Sequence, residues 1–182
     1  MNESVKAMDL PLPNTYWVIP GRLLAGEYPI GEGAVDARER LAHLREWRVN
    51  SFIDLTEERE MPAYRHLLAV HTQYLRFPIA DERVPPDAAL FKDLLVNIRA
   101  AVEAKRCVYV HCRAGIGRTG LTVGCYLGEV GGDGNAALAE LNRLWIQSER
   151  SRSWPKLPQT KAQAEYIRQW PKLAKSLAPA QR

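Results

Sequence analysis

The stretch Val108–Gly120, "VYVHCRAGIGRTG", decides the fold class of this chain. It starts as a run of β-branched and aromatic residues, reaches Cys112, and then carries three glycines within six residues. In α/β folds, ligands bind where loops lead from the carboxyl ends of strands into helices. Glycines let successive N–H groups turn inward, and the following helix adds its positive end. The stretch therefore predicts an oxyanion-binding loop between a central strand and a helix.

Strand-like and helix-like patterns alternate on both sides of this loop. Two short strands joined at Pro20-Gly21 open the chain. The pattern predicts a single α/β domain, with a central, mostly parallel sheet flanked by helices on both faces. We expect the domain to span residues 10–172, with flexible ends at 1–9 and 173–182. The later strand-like segments are 50–56, 72–79 and 106–112, and the helical ones are 33–49, 62–70, 88–104, 119–130, 134–148 and 161–170.

Composition limits the classes of function. The 182 residues are 46% apolar and 25% charged, which is ordinary for a globular enzyme. A net charge of +4, spread along the chain, suits an anionic substrate better than a nucleic acid, which favours a denser basic stripe. No apolar run reaches the roughly 20 residues of a membrane span. The first residues do not resemble a secretory signal, so a cytoplasmic location is expected.

The cysteine pattern points to a single reactive thiol. Cys107, Cys112 and Cys125 make an odd number without a CxxC pair, which argues against a disulfide framework and a zinc site. The histidines outside the loop show no ligand spacing. We therefore expect no metal and no cofactor. Cys107 and Cys125 are interpreted as packing residues.

Cys112 and Arg118 lie six residues apart, so the loop must curl for both to reach one ligand. A thiolate is a nucleophile, and a guanidinium fork matches two oxygens of a phosphate in shape and charge. The loop contains no lysine, which disfavours a nucleotide-binding P-loop. These residue types together indicate nucleophilic attack on a bound oxyanion.

The loop resembles the signature of the cysteine-dependent protein tyrosine phosphatases: His-Cys, five residues, Arg, then Ser or Thr. The chain's length resembles that of the small dual-specificity branch, and the similarity extends over residues 14–170. "YWVIPGRLLAGEYP" is similar to the opening strand pair of that family. "FPIADERVPP" resembles its general-acid loop, and "PQTKAQ" resembles the late segment with a water-positioning glutamine.

This resemblance implies roles for the loop residues. Cys112 would attack phosphorus and form a phosphocysteine, and Arg118 would hold the equatorial oxygens. His111 would orient the loop and tune the thiolate, and Thr119 would donate a hydrogen bond to the sulfur. The phosphate-binding residues would be Arg113, Ala114, Gly115, Ile116, Gly117 and Arg118.

The resemblance also implies a general acid and a residue that places water. Asp81 would protonate the leaving oxygen and then take a proton from water, and Gln163 would help place that water. Glu82 and Asp87 are rivals for the acid, although Asp87 is better interpreted as a helix N-cap. The charged segment 57–64, "EEREMPAY", would be either a surface loop or part of the pocket rim.

The predicted function is metal-independent hydrolysis of phosphomonoesters in phosphoproteins, on phosphotyrosine and on phosphoserine or phosphothreonine. Phosphoinositides and RNA 5′-phosphate ends are alternative substrates for the same mechanism. The lysines that lipid-directed relatives carry in the loop are replaced here by Ala114 and Ile116. A catalytically idle phosphate-binding module, and a sulfur carrier or arsenate reductase, are alternatives from other classes.

Overall fold

The computed structural model describes residues 9–31 and 34–177. The strands in these residues are β1 (Thr15–Ile19), β2 (Leu23–Gly26), β3 (Val49–Asp54), β4 (Gln73–Arg76) and β5 (Cys107–His111). The α-helices are α1 (Ala34–Glu46), α2 (Ala88–Glu103), α3 (Gly117–Gly131), α4 (Gly134–Trp145) and α5 (Lys161–Ser176).

The sheet has the strand order β1-β2-β5-β3-β4. β1 pairs with β2 antiparallel, and every other neighbouring pair is parallel. β5 lies at the centre, so its C-terminal end is flanked by the C-terminal ends of β2 and β3. The predicted α/β class with a mostly parallel sheet is confirmed.

Both faces of the sheet are covered. Val108 and Val110 pack with residues of α2 to α5, whereas Cys107 and Tyr109 pack on the opposite face with Leu44 of α1. Alternate side chains of a strand point to opposite faces of the sheet. Because both faces are covered, every residue of β5 is buried. This double coverage explains the nearly unbroken apolar sequence of the strand.

The prediction of a helix at 62–70 is wrong. Only a single 3₁₀ turn forms there, at Arg65–Leu67. A helix here would place Tyr64 and Leu67 on one face, but Tyr64 is buried while Leu67 is 44% exposed. Tyr64 instead inserts into the core beneath the sheet, where it lies edge-to-face against Phe52.

Other helices differ from their predicted bounds. α3 begins at Gly117 instead of residue 119, and α4 ends at Trp145 instead of residue 148. α1 ends at Glu46, before the predicted end at residue 49. α5 continues through Pro171 to Ser176, so the predicted domain end at 172 falls inside a helix. Residues 1–8 and 178–182, which belong to the predicted flexible ends, lie outside the described residues. In the part of the chain that the structure covers, no helix is long and apolar enough to cross a membrane.

The outer edge of β1 is occupied by one side chain. Gln147, just after α4, accepts from the Trp17 N–H through Oε1 at 3.1 Å. Its Nε2 donates to the Trp17 carbonyl at 3.0 Å. The carboxamide thus satisfies the backbone groups that a further strand would have bound.

Candidate active site

The phosphate-binding loop connects β5 to α3 at the carboxyl edge of the sheet. Two of its carbonyls are bound from outside the loop: the Tyr28 N–H donates to the Arg113 oxygen at 3.1 Å, and Arg150 Nη1 donates to the Ala114 oxygen at 2.5 Å. Among the described residues, the N–H groups of residues 113–116 donate to no protein acceptor. These donors are therefore available to an anion.

Gly115 is required by the way the loop packs. Its φ is +76°, and a Cβ there would lie 2.6 Å from the Gly26 carbonyl carbon and 2.8 Å from the Glu27 nitrogen. Glu27 also holds Arg150 in an ion pair of 2.9 Å. Arg150 belongs to a 3₁₀ turn after α4, Glu149–Arg152. This turn and the end of β2 therefore fix the first half of the loop.

Cys112 and Arg118 stand at the two ends of this loop, as the sequence predicts. Cys112 directly follows β5 and is 2% exposed, and Arg118 lies in the first turn of α3 and is 1% exposed. The structure therefore places a thiol and a guanidinium on either side of the available N–H groups.

The Arg118 guanidinium is held by a carboxylate that the sequence analysis did not single out. Nη1 and Nη2 each donate to one oxygen of Glu60 at 2.6 Å, and Nη1 also donates to the Ile79 carbonyl at 3.1 Å. Nε is buried and has no partner in the described structure. Burial opposes the charged form, but hydrogen bonding to Glu60 and electrostatic interactions with Cys112, Glu60 and Asp81 raise the pKa of Arg118. Arg118 therefore remains a cation.

Glu60 lies in the segment 57–64, for which the sequence left two interpretations open. The structure favours the pocket rim, because Glu60 is half-buried against Arg118 while its neighbour Glu58 is exposed. The hydrogen bonds from Arg118 lower the pKa of Glu60, against a smaller opposing effect of burial. The signal that could have found Glu60 is its position after β3, the strand next to β5.

Of the three candidate acids, Asp81 is the one that contacts Arg118. Its Oδ1 lies 3.1 Å from Arg118 Nη2, and its side chain is 57% exposed at the mouth of the site. Glu82 instead accepts from Gln159 Nε2 at 2.9 Å. Asp87 caps α2, because Oδ1 accepts from two backbone N–H groups of the first turn.

His111 supports the loop from inside the core. Its Nδ1 lies 3.4 Å from the Cys112 carbonyl oxygen, and its Nε2 shares a hydrogen bond with the Tyr64 hydroxyl. Burial lowers the pKa of His111 to about 4, so the ring is neutral at pH 7. The sequence analysis missed Tyr64, because it had assigned the segment to a helix.

Thr119 is fully buried, and its hydroxyl donates to the Gly26 carbonyl at 3.3 Å. This bond ties the start of α3 to the end of β2. The hydrogen bond from Thr119 to the Cys112 sulfur, which the resemblance implies, is not among those formed by the described residues. The role of Thr119 toward the Cys112 sulfur stays a prediction.

Gln163 is fully buried and forms a capping box at the start of α5. Its Oε1 accepts from the Thr160 N–H at 3.2 Å, and its Nε2 donates to the Arg83 carbonyl at 3.1 Å. Gln159 also approaches the loop, because a Cβ on Gly117 would lie 2.9 Å from Gln159 Oε1 and 3.2 Å from Gln163 Nε2. Two glutamines therefore face the loop where the sequence analysis named one.

The other cysteines sit in apolar surroundings. Burial raises the pKa of Cys107 to about 11, partly offset by Arg22, and raises the pKa of Cys125. Both thiols are therefore neutral packing groups at pH 7. Within residues 9–31 and 34–177, no cluster of three His, Cys, Asp or Glu side chains could hold a metal ion.

The family model described as "Swiss Army Knife protein, DSP-PTPase phosphatase domain" matches residues 12–174. The chain therefore belongs to this phosphatase-domain family, in the small dual-specificity branch of the cysteine-dependent phosphatase superfamily.

Individual proteins agree with this assignment. The chain is 30% identical over 126 residues to "Putative tyrosine phosphatase 197R" of Invertebrate iridescent virus 6, covering 66% of this chain and 45% of the viral protein. It thus spans less than half the length of the curated relatives it matches.

Solved structures share the fold at low identity. Tk-PTP in its active form superposes with a TM-score of 0.71 at 22% identity, covering 88% of this chain and 97% of that one. PTPMT1 in complex with PI(5)P gives a TM-score of 0.64 at 22% identity, covering 86% and 94%.

Proposed function

We propose that this protein is a metal-independent phosphomonoester hydrolase that works through a phosphocysteine intermediate. One observation carries the proposal: the buried Cys112 and Arg118 flank a loop whose N–H groups at residues 113–116 have no acceptor among the residues that the structure describes. Fixed donors of this kind stabilise the charge that develops on phosphate oxygens in the transition state.

In the first step, the Cys112 thiolate attacks phosphorus, the P–S bond forms, and the bond to the ester oxygen breaks. Asp81, at the mouth of the site, gives its proton to that leaving oxygen. In the second step, Asp81 takes a proton from water, the water oxygen attacks phosphorus, and the P–S bond breaks to release phosphate and the thiolate. Covalent capture divides one difficult displacement into two easier ones.

Arg118 and the loop hold the equatorial oxygens in both steps. The unpartnered Nε of Arg118 supplies a donor beyond those engaged by Glu60. His111 Nδ1 lies 3.4 Å from the Cys112 carbonyl oxygen, and Thr119 anchors the start of α3 to the end of β2. We assign these two residues to positioning the loop and, for Thr119, to easing departure of the sulfur.

We propose phosphoproteins as substrates, with phosphotyrosine the first to test. The viral relative is named as a tyrosine phosphatase, and a reducing compartment such as the cytoplasm suits three free thiols. The second candidate is a phosphoinositide, because the fold of PTPMT1 is recorded with PI(5)P. The exposed Arg113, beside the nucleophile, is a cation that either substrate would meet.

The test measures phosphate release in EDTA from a phosphotyrosine peptide, a matched phosphoserine peptide and phosphoinositide vesicles. Cys112→Ser should abolish release, whereas Cys107→Ser, a matched change at a buried thiol of the same strand region, should retain it. Peptide turnover supports the proposed substrate class, and vesicle turnover alone selects the lipid alternative. If the protein binds phosphate but releases none from any substrate, it is instead the catalytically idle phosphate-binding module.

A further inference from the structure

The segment 79–83, called here the acid loop, carries Asp81 and is tied to the rest of the molecule at several points. Its first residue donates to the Leu55 carbonyl at 3.1 Å. Its last residue, Arg83, has its carbonyl bound by Gln163 Nε2 at 3.1 Å. Between these ends the backbone turns through Glu82, whose φ is +60°. That left-handed conformation is unfavourable for a residue with a side chain, so its neighbours must hold it.

Building on the proposed function, we propose that Gln163 is a positioning residue of the acid loop. Its carboxamide fixes the Arg83 carbonyl and thereby holds the Asp81 carboxyl over the phosphate-binding loop. This differs from the placement of the attacking water, which the family resemblance implies for Gln163. Holding Asp81 as the acid affects the first step, in which the ester bond breaks, whereas placing water affects only the second step. The two roles can therefore be separated by kcat/KM, which reports the first step.

Gln163 is built to hold a fixed position. It is fully buried, and the capping box with Thr160 engages its Oε1 and leaves Nε2 directed at the Arg83 carbonyl. The residue stands in the first turn of α5, a helix of 16 residues. A buried side chain bonded at both ends of its carboxamide transmits the position of the helix to the acid loop.

The acid loop needs such a tie once phosphate is bound. Asp81 is largely exposed, and its ion pair in the structure is to Arg118 Nη2. The oxygens of a bound phosphate compete for that same guanidinium, so the Asp81 contact is weakened when the acid is required. The hydrogen bond from Gln163 to the Arg83 carbonyl does not involve the Arg118 guanidinium, and so it persists when phosphate binds.

Gln159 makes a second, weaker contact with the same loop. Its Nε2 donates to the Glu82 carboxylate at 2.9 Å, but the bond lies at the surface and joins two flexible side chains. An exposed side-chain bond of this kind fixes a loop less well than a buried bond to its backbone. Gln159→Ala is therefore a useful comparison, with a smaller expected effect on the acid.

The principal variant is Gln163→Glu, because glutamate is as well suited as glutamine to this position of a capping box. It keeps the acceptor for the Thr160 N–H and replaces the donor to the Arg83 carbonyl with a carboxylate oxygen. Gln163→Leu is the second variant, since it adds no charge to the site. Thr160→Ala is the control, because it weakens the helix start and leaves the bond to Arg83 in place.

The readout is kcat/KM for aryl phosphates whose leaving groups differ in acidity. Loss of acid positioning should slow phenyl phosphate about a hundredfold, while a fluorinated aryl phosphate with a good leaving group changes less than about threefold. Both Gln163 variants should show this selective loss, and Thr160→Ala should not. Asp81→Asn should show it too, and adding a Gln163 change to Asp81→Asn should have little further effect.

A uniform loss with all leaving groups, or a burst of phenol followed by slow phosphate release, would overturn the inference. The burst would assign Gln163 to the hydrolysis of the phosphocysteine, as the water-placing role requires. A failure of the proposed function would look different from a failure of this inference. In that case the unaltered protein would release no phosphate, or Asp81→Asn would slow the hydrolysis of all the aryl phosphates equally.

Discussion

Glu60 binds Arg118 with both carboxylate oxygens, at 2.6 Å each, although the two residues are 58 positions apart in the chain. Glu60 comes after β3 and Arg118 follows β5, and these strands are neighbours in the sheet. The planar pairing fixes the plane of the guanidinium and leaves Nε for a ligand. The carboxylate therefore determines how the Arg118 guanidinium is oriented.

Glu60→Gln should lower kcat/KM for an aryl phosphate by about ten- to a hundredfold, because misplacing a catalytic group by about 1 Å has effects of this size. The glutamine amide would direct a donor at one guanidinium nitrogen and break the two-fold pairing. Glu58→Gln, a matched change at an exposed neighbour, should leave the rate within about twofold. Steady-state kinetics decide the matter, and equal effects of the two changes would contradict the assignment.

Gly115→Ala should impair catalysis more than it impairs folding. A Cβ at this position meets the backbone at Gly26, so the loop must shift, and the positive φ adds about 1 kcal/mol or more. We expect kcat/KM to fall at least about tenfold.

The control is Gly21→Ala, because Gly21 has a φ of +67° and nothing within 4 Å of its added Cβ. This change carries the backbone strain without the clash. Thermal denaturation should show similar losses of stability for the two variants if the loop absorbs the shift. Full activity in Gly115→Ala would show that the contact with Gly26 does not shape the loop.

Acid should destabilise the protein partly through His111. Burial lowers the pKa of His111 from 6.5 to about 4, so in this window the unfolded chain binds a proton that the folded chain does not. Stability therefore falls as the pH falls, by about 2 kcal/mol between pH 7 and pH 5. Urea denaturation of the unaltered protein and of His111→Gln measures this difference. An equally steep loss in the variant would rule out His111 as its source.

Asp54→Ala should destabilise the fold by about 3–5 kcal/mol, because it removes the carboxylate that pairs with the largely buried Arg76 cation. Asp54 is fully buried and accepts from the Arg76 guanidinium at 2.7 Å and from the Tyr74 hydroxyl at 2.7 Å. Glu140→Ala, which breaks an exposed pair with Arg143, should cost less than about 0.5 kcal/mol. Free energies of unfolding from urea titrations give both values, and comparable losses would contradict the expectation.

The sequence predicted the strand, loop and first helix turn around Cys112 because local patterns determine them. Apolar residues buried on both faces mark β5, and the glycines mark a loop that packs against other backbone. Asp81 was predicted from the resemblance of its segment to the family's general-acid loop, and the structure places it 3.1 Å from Arg118. The catalytic roles of these residues await the experiments above.

The missed residues depend on contacts between distant segments. Glu60 stands in a run of charges, and its partner is identified only when the strand order places β3 beside β5. Tyr64 was assigned to a helix by local pattern, but burial against His111 prevails over helix propensity. Gln159 and Gln163 are both polar residues in one short segment, and only tertiary packing separates their contacts.

The carboxamide of Gln147, bound to β1, makes the two edges of the sheet unequal. A strand from another molecule could pair with Trp17 only by displacing a side chain that already binds both of its backbone groups. β4, at the other side, pairs only with β3 among the described residues, and its Leu75 is exposed. Any growth of this sheet by backbone pairing would therefore proceed in one direction, from β4, at the side of the sheet away from β1.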